Sequence, residues 1–223
     1  MMPLKALGVS LACLICCFSG FAHAGAAVER LADYLQEMVG LSGEFVQQTY
    51  SVEGDPFTIY SGNFKLKRPG FFYWQVQAPG QQLLVSDGTQ VWDYDVDLEQ
   101  LVHNKILGGD VYDSPMQIIS GGIDAISAHY RVEFGTASDS FVLLPIASGG
   151  GFTELRLTFE HKVLAAMEMI DAFGQRTEIG FNRTELNPQL VDSMFQLQIS
   201  AGVDVISNVP GYSDLSLDQS DDE

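Results

Sequence analysis

Residues 64–74 read Phe-Lys-Leu-Lys-Arg-Pro-Gly-Phe-Phe-Tyr-Trp (FKLKRPGFFYW), and they set three of the chain's 11 Lys and Arg residues directly before its densest aromatic run. A strand sends alternate side chains to opposite faces. Phe64, Leu66 and Arg68 therefore share one face, and Lys65 and Lys67 the other. Pro69-Gly70 reads as a turn. Beyond it, Phe72, Trp74 and Val76 share a face opposite Phe71, Tyr73, Gln75 and Gln77. The two lysines are solvated cations of a kind that discourages edge-to-edge pairing. Arg68 is in conflict. On the inward face its guanidinium cannot be neutralised and needs acceptors; at the end of its strand it would reach water. Periodicity leaves both readings open, and leaves Phe72 and Trp74 free to be ordinary core.

Working outward, residues 28–39 form an amphipathic pattern. Val28, Leu31, Leu35 and Met38 recur at helical spacing against Glu29, Arg30, Asp33, Gln36 and Glu37, and Gly40 is a stop signal. Short strands follow at 45–50, 59–67, 71–77 and 83–86, and Asp87-Gly88 marks a hairpin before Val91-Trp92. After a polar stretch at 103–113, Ser114-Pro115 opens a short helical piece that Gly121-Gly122 ends. Strands resume at 130–134 and 141–146, around 155–159 and 179–181, and at 195–199, continuing to Val203 and Val205. Some ten or eleven strands with few helices predict one large antiparallel sheet curling toward a barrel.

The first residues concern address. Lys5 precedes an apolar run from Ala6 to Phe21, and Ala22-His23-Ala24 has the pattern of a signal-peptidase site. The run falls short of the roughly 20 residues a membrane span needs, so cleavage is expected after Ala24. Cys13, Cys16 and Cys17 all lie in this leader, so the expected mature chain has no thiol. Leu11-Ala12-Cys13 is a poor lipidation signal, because Ser10 stands where an aliphatic residue is expected. Loss of residues 1–24 removes Lys5 and no acid, leaving 10 cations against 29 acids over 199 residues. Such acidity repels nucleic-acid backbones and anionic lipid surfaces and favours solubility. From Ser207 the composition changes, and Ser213–Glu223 holds five acids and no base, the signature of a disordered tail.

No catalytic constellation emerges. Asp93-Tyr94-Asp95-Val96-Asp97 begins like a calcium loop, but Leu98 and Asn104 occupy the positions of its glycine and glutamate. His103, His129 and His161 have no zinc-ligand spacing, and no serine lies in G-x-S-x-G. Gly149-Gly150-Gly151 precedes a strand, with no helix to bind phosphate. A secreted hydrolase is thus left without a nucleophile or metal set, and no cofactor is expected.

Gly62 to Trp74, then Ala78-Pro79, Leu84-Val85-Ser86-Asp87-Gly88, Val91-Trp92-Asp93-Tyr94 and Leu98-Glu99-Gln100 resemble the periplasmic outer-membrane lipoprotein carrier family, LolA. Phe45 and Gln47, Ser114-Pro115, Phe141 to Pro145 and Phe173-Gly174-Gln175 fit in the same order, so the resemblance covers nearly all of residues 26–206.

The resemblance implies a mainly β (α+β) fold: an unclosed antiparallel β half-barrel of about eleven strands, with short helices as a lid over a hydrophobic cavity. It implies three segments: a cleaved signal at 1–24, the carrier domain at 25–206 and the acidic tail at 207–223. The expected cavity wall is Phe45, Phe64, Leu66, Phe72, Trp74, Val76 and Trp92. The expected lid carries Leu31 and Leu35 from the first helix and Pro115, Met116, Ile118 and Ile119 from the second. Arg68 matches the family's latch, an arginine bonded to carbonyls of the lid helix, here the piece at about 115–122. The implied partners are lipoproteins bound by their acyl chains, an inner-membrane lipoprotein-releasing ABC transporter and an outer-membrane receptor of the LolB type. The implied protein is a soluble, monomeric periplasmic carrier that is not an enzyme and binds no nucleic acid. A lipid-binding or envelope-stress-sensing module on the same half-barrel is the alternative.

Overall fold

The first helix runs straight into a meander of hairpins, and the computed structural model describes residues 19–105, 115–147, 151–199, 202–207 and 209. The leader up to residue 18, most of the polar stretch, Ser114, Gly149-Gly150 and the tail from 210 lie outside the described residues. Helix α1 (Ser19–Glu37) is followed by β1 (Gly40–Tyr50), β2 (Pro56–Lys67), β3 (Phe71–Ala78), β4 (Gln82–Asp87), β5 (Gln90–Asp95) and β6 (Gln100–Lys105). Two short helices, α2 (Pro115–Gly121) and α3 (Ile123–His129), come next. The chain then forms β7 (Tyr130–Phe134), β8 (Ser140–Pro145), β9 (Phe152–Glu160), β10 (Val163–Asp171) and β11 (Arg176–Leu186). A 3-10 turn (Asp192–Phe195) leads to β12 (Asp204–Ser207).

All twelve strands belong to one sheet, in the order β12-β6-β5-β4-β3-β2-β1-β11-β10-β9-β8-β7. Its centre is β1, paired antiparallel with β2 on one side and β11 on the other. The sheet is unclosed, with β7 and β12 at its edges. The strand beyond the expected eleven is β12, which lies parallel to β6.

The helices cover one face of this sheet, called here the inner face. α1 buries Ala27, Leu31, Tyr34 and Leu35, and Met38 just past its end continues the same helical spacing. α2 buries Met116, Ile118 and Ile119, and α3 buries Ile126. These side chains join those of the sheet in one core.

Local boundaries differ from the sequence reading where context competes. α1 ends at Glu37, and β1 begins five residues ahead of Phe45. Gly121-Gly122 does end α2, but a further helix starts at once, because Gly122 sits at φ 89° and redirects the chain into α3. The alternation at 195–199 is not a strand. Phe195 ends the 3-10 turn, and Leu197 and Ile199 are half-buried between exposed Gln196 and Gln198. An extended segment lying on a packed surface shows the same period of two as a ladder strand. Phe195 is fully buried against the ring of Phe71, 5.5 Å between centroids.

Candidate functional site

Where α1 gives way to β1, Gly40 pairs with Lys67 at the end of β2. This register sets the last turn of α1 beside Arg68. The Arg68 guanidinium donates from Nη1 to the carbonyl oxygen of Leu35 at 2.6 Å, and its backbone N–H donates to Val39 at 2.9 Å. Leu35 lies in the last turn of α1, where carbonyls lack helical partners and the helix dipole is negative. Nε and Nη2 of Arg68 are buried without an acceptor among the described residues. Burial pulls the guanidinium well below its ordinary value, to about 10, so it stays charged at neutral pH.

The expectation that Arg68 binds the piece at 115–122 is therefore corrected. Its guanidinium holds α1, and α2 is held instead by the main chain two residues on, where the Gly70 N–H donates to Ser120 at 2.9 Å. Gly70 and Gly88, at φ 81° and 87°, meet in adjacent turns, and a Cβ on Gly70 would lie 2.9 Å from the Gly88 Cα.

Behind the latch, the β2–β3 hairpin pairs Phe64 with Trp74 and Leu66 with Phe72. Phe64, Leu66 and Phe72 are almost fully buried in the core, together with Phe45 of β1. Phe45 stacks on Trp74 with centroids 3.6 Å apart and planes 21° from parallel. Gly62 underlies this stack: it pairs with Phe45 and with Val76, and a Cβ there would sit 3.0 Å from the Phe45 ring. Phe64 also meets Phe181 at 4.8 Å.

The open space adjoins this packed aromatic wall. A cavity of about 230 Å³ is lined by Trp74, Leu84, Met167, Met169 and Ile179, with Pro115 and Met116 of α2 and with Gln47, Gln82 and Thr177. None of these side chains is charged. Three thioethers give the wall a flexible, polarisable lining that adapts to irregular apolar shapes.

Trp92 is placed elsewhere. Its neighbour Val91 belongs to the inner core, so alternation sends Trp92 to the opposite face, where it stacks on His103 with centroids 5.3 Å apart. Buried Val85, Tyr94, Leu101 and Phe195 lie outside the inner core cluster. Val85 and His103 are the register partners of Trp92.

Among the described residues no three His, Cys, Asp or Glu side chains are grouped to hold a metal, and no helix is long and apolar enough to cross a membrane. The aspartates at 93–97 serve turns: Asp95 accepts from the Leu98 N–H at 2.9 Å and Asp97 from the Gln81 N–H at 3.0 Å.

Residues 36–198, which span Arg68, the aromatic wall and the cavity, match the family described as Outer membrane lipoprotein carrier protein LolA. The chain belongs to this family.

Two outer-membrane lipoprotein carrier proteins illustrate the kinship. That of Chromohalobacter salexigens is 39% identical over 80% of this chain and 85% of its own length. That of Pseudomonas paraeruginosa is 38% identical over 84% and 92%. The crystal structure of a LolA superfamily protein from Nitrosomonas europaea aligns with a TM-score of 0.47 at 11% identity, covering 78% of this chain and 98% of that one.

In this LolA family member, Trp74, Pro115 and Met116 are the expected residues that border the open space. Phe45, Phe64, Leu66, Phe72 and Val76 are core beside it, as are Leu31, Leu35, Ile118 and Ile119 of the helices. Leu84, Met167, Met169 and Ile179 were missed as cavity residues. The signal for two of them was present, since Met167 and Met169 flank Glu168 with strand alternation, but β10 itself went unread.

Proposed function

We propose that this protein is a periplasmic carrier that shields the acyl chains of lipoproteins between the inner membrane and an outer-membrane receptor. The observation that carries the reading is an uncharged cavity lined mostly by aromatic, aliphatic and thioether side chains, roofed by Pro115 and Met116 of α2. Membership of a carrier family supports it independently. The precursor is cleaved after Ala24 and the product is soluble, in keeping with its acidity.

The cavity is smaller than the 300 Å³ or so at which ligand sites begin. Loading therefore requires the helices to move from the sheet, which breaks the Gly70–Ser120 contact at α2 or the Arg68–Leu35 contact at α1. Each methylene withdrawn from water contributes about 0.8 kcal/mol, so an open, dry cavity would hold several chains almost irreversibly. A hydrogen bond from a charged donor, worth about 1.5–3 kcal/mol, favours the closed, empty state and offsets part of that affinity. A receptor with a more apolar site then draws the cargo off without nucleotide hydrolysis by the carrier. Release into the carrier is the task of an inner-membrane ABC transporter, and a LolB-type lipoprotein is the acceptor.

The test has two parts. Mass spectrometry of protein isolated from the periplasm identifies co-purified lipoprotein. Transfer to receptor-bearing liposomes then compares the native protein with Arg68→Leu, which loads cargo and hands it on poorly. Undiminished release by the variant would sink the latch.

A further inference from the structure

Gln47 interrupts an apolar row that crosses the inner face. The ladders set Phe141 opposite Leu157, Leu157 opposite Met167, Met167 opposite Ile179, Ile179 opposite Gln47, and Gln47 opposite Tyr60. The other five members belong to the core or pack against it. Residues paired across a ladder share a face, so the Gln47 amide looks into the same interior as Ile179, and it borders the cavity.

The three polar side chains of the cavity are not equivalent. Thr177 is bonded to Thr49 at 3.1 Å, and Gln82 donates to Asp93 at 2.8 Å. Gln47 is half-buried, and its amide has no hydrogen-bond partner among the described residues. A primary amide offers two donors and an acceptor, and drying it unpaired is costly. Once apolar chains displace water from the cavity, that cost falls on Gln47 unless the ligand itself brings a partner. A leucine or methionine would complete the wall without it.

We propose that Gln47 recognises the carbonyl at the root of an acyl chain, donating an N–H to an ester or amide oxygen while the methylenes occupy the space beside Trp74 and Met167. The inference rests on the acyl-carrier reading and narrows it: the preferred ligands are acyl esters and amides, rather than any apolar chain of the same length. Gln47 is then a specificity residue that also fixes how deep the chain sits.

The test compares 1-monopalmitoylglycerol with 1-O-hexadecylglycerol, which differ by the carbonyl alone, each displacing a fluorescent apolar dye below its critical micelle concentration. The readout is the ratio of the two affinities in one protein, so a general change in cavity volume or stability cancels. The native protein binds the ester about three- to tenfold more tightly than the ether, the range of one net hydrogen bond. Gln47→Leu brings the ratio to about one while still binding the ether. Equal binding of both lipids by the native protein overturns the proposal, and so does a preference that survives in Gln47→Leu. Failure of either lipid to bind the native protein overturns the acyl-cavity reading itself, a different result from a lost ester preference.

Discussion

Nη1 of Arg68 lies 2.6 Å from the carbonyl oxygen of Leu35, two residues before α1 ends at Glu37. One hydrogen bond thus joins the turn after β2 to the negative end of a helix dipole, a position that suits a cation. The rest of the guanidinium is less well served, with Nε and Nη2 buried and unpartnered among the described residues. The contact is therefore a latch under tension between a strong bond and a costly burial.

That balance predicts a small effect on stability. The bond contributes about 1.5–3 kcal/mol. Unfolding also returns the guanidinium to water and so recovers a burial cost on the order of 3 kcal/mol, the cost that lowers it to about 10. Lifting α1 alone instead breaks the bond and leaves β2 and β3 folded around the side chain. Arg68→Leu should leave the free energy of unfolding in urea within about 1 kcal/mol of native. A loss beyond about 3 kcal/mol would make Arg68 a pillar of the fold rather than a gate.

Gly62 should tolerate nothing larger. A Cβ there would fall 1.7 Å from the Gln75 carbonyl oxygen, which is backbone and cannot yield. Gly62→Ala is expected to cost more than about 4 kcal/mol or to abolish folding, whereas Gly180→Ala meets nothing within 4 Å and serves as the control. Thermal unfolding of both variants decides the matter; equal melting temperatures would contradict the close approach of Gly62 to the Gln75 carbonyl.

Phe195 tests whether the segment after β11 belongs to the folding unit. It is fully buried, and truncating such a side chain typically costs 3–5 kcal/mol. Phe195→Ala should lose about that much in a single cooperative transition. A variant that unfolds like the native protein would show the segment to be dispensable.

His103 predicts a pH dependence. It is fully buried, stacked on Trp92, with Nε2 2.5 Å from the Gln90 Oε1 and Nδ1 3.3 Å from the Ser207 Oγ. Burial pulls it below the usual 6.5, while the charge of Asp87 opposes that pull. The unfolded chain therefore takes up the proton first as pH falls. Stability from this group is whole above about 6.5 and declines through the lowered value, below which it changes no further. The melting temperature should fall from pH 7 to pH 5 in the native protein, and His103→Gln should flatten that slope. An unchanged slope in the variant would locate the titration elsewhere.

Much of the site was legible in FKLKRPGFFYW. Its alternation put Phe64 with Leu66 on one face and Phe72 with Trp74 on one face, and the register of the hairpin, pairing Phe64 with Trp74 and Leu66 with Phe72, makes it the same face. The same rule misled at Val91-Trp92. Alternation states that neighbours oppose each other but not which one looks inward, and here both faces of the sheet are covered. The larger ring went out, against His103.

What the sequence determined by itself was local: which residues alternate, where helices carry an apolar stripe, and that an inward guanidinium beside Leu66 would need an acceptor. These follow from backbone geometry and from the cost of burying charge, which act within a few residues. The tertiary structure alone decided that the acceptor is the carbonyl of Leu35, 33 positions earlier, and that Met167 and Ile179 bring Gln47 to the edge of a cavity. Those facts depend on the register of β1 between β2 and β11. Register is set by the best joint packing of distant strands, and no local pattern encodes it.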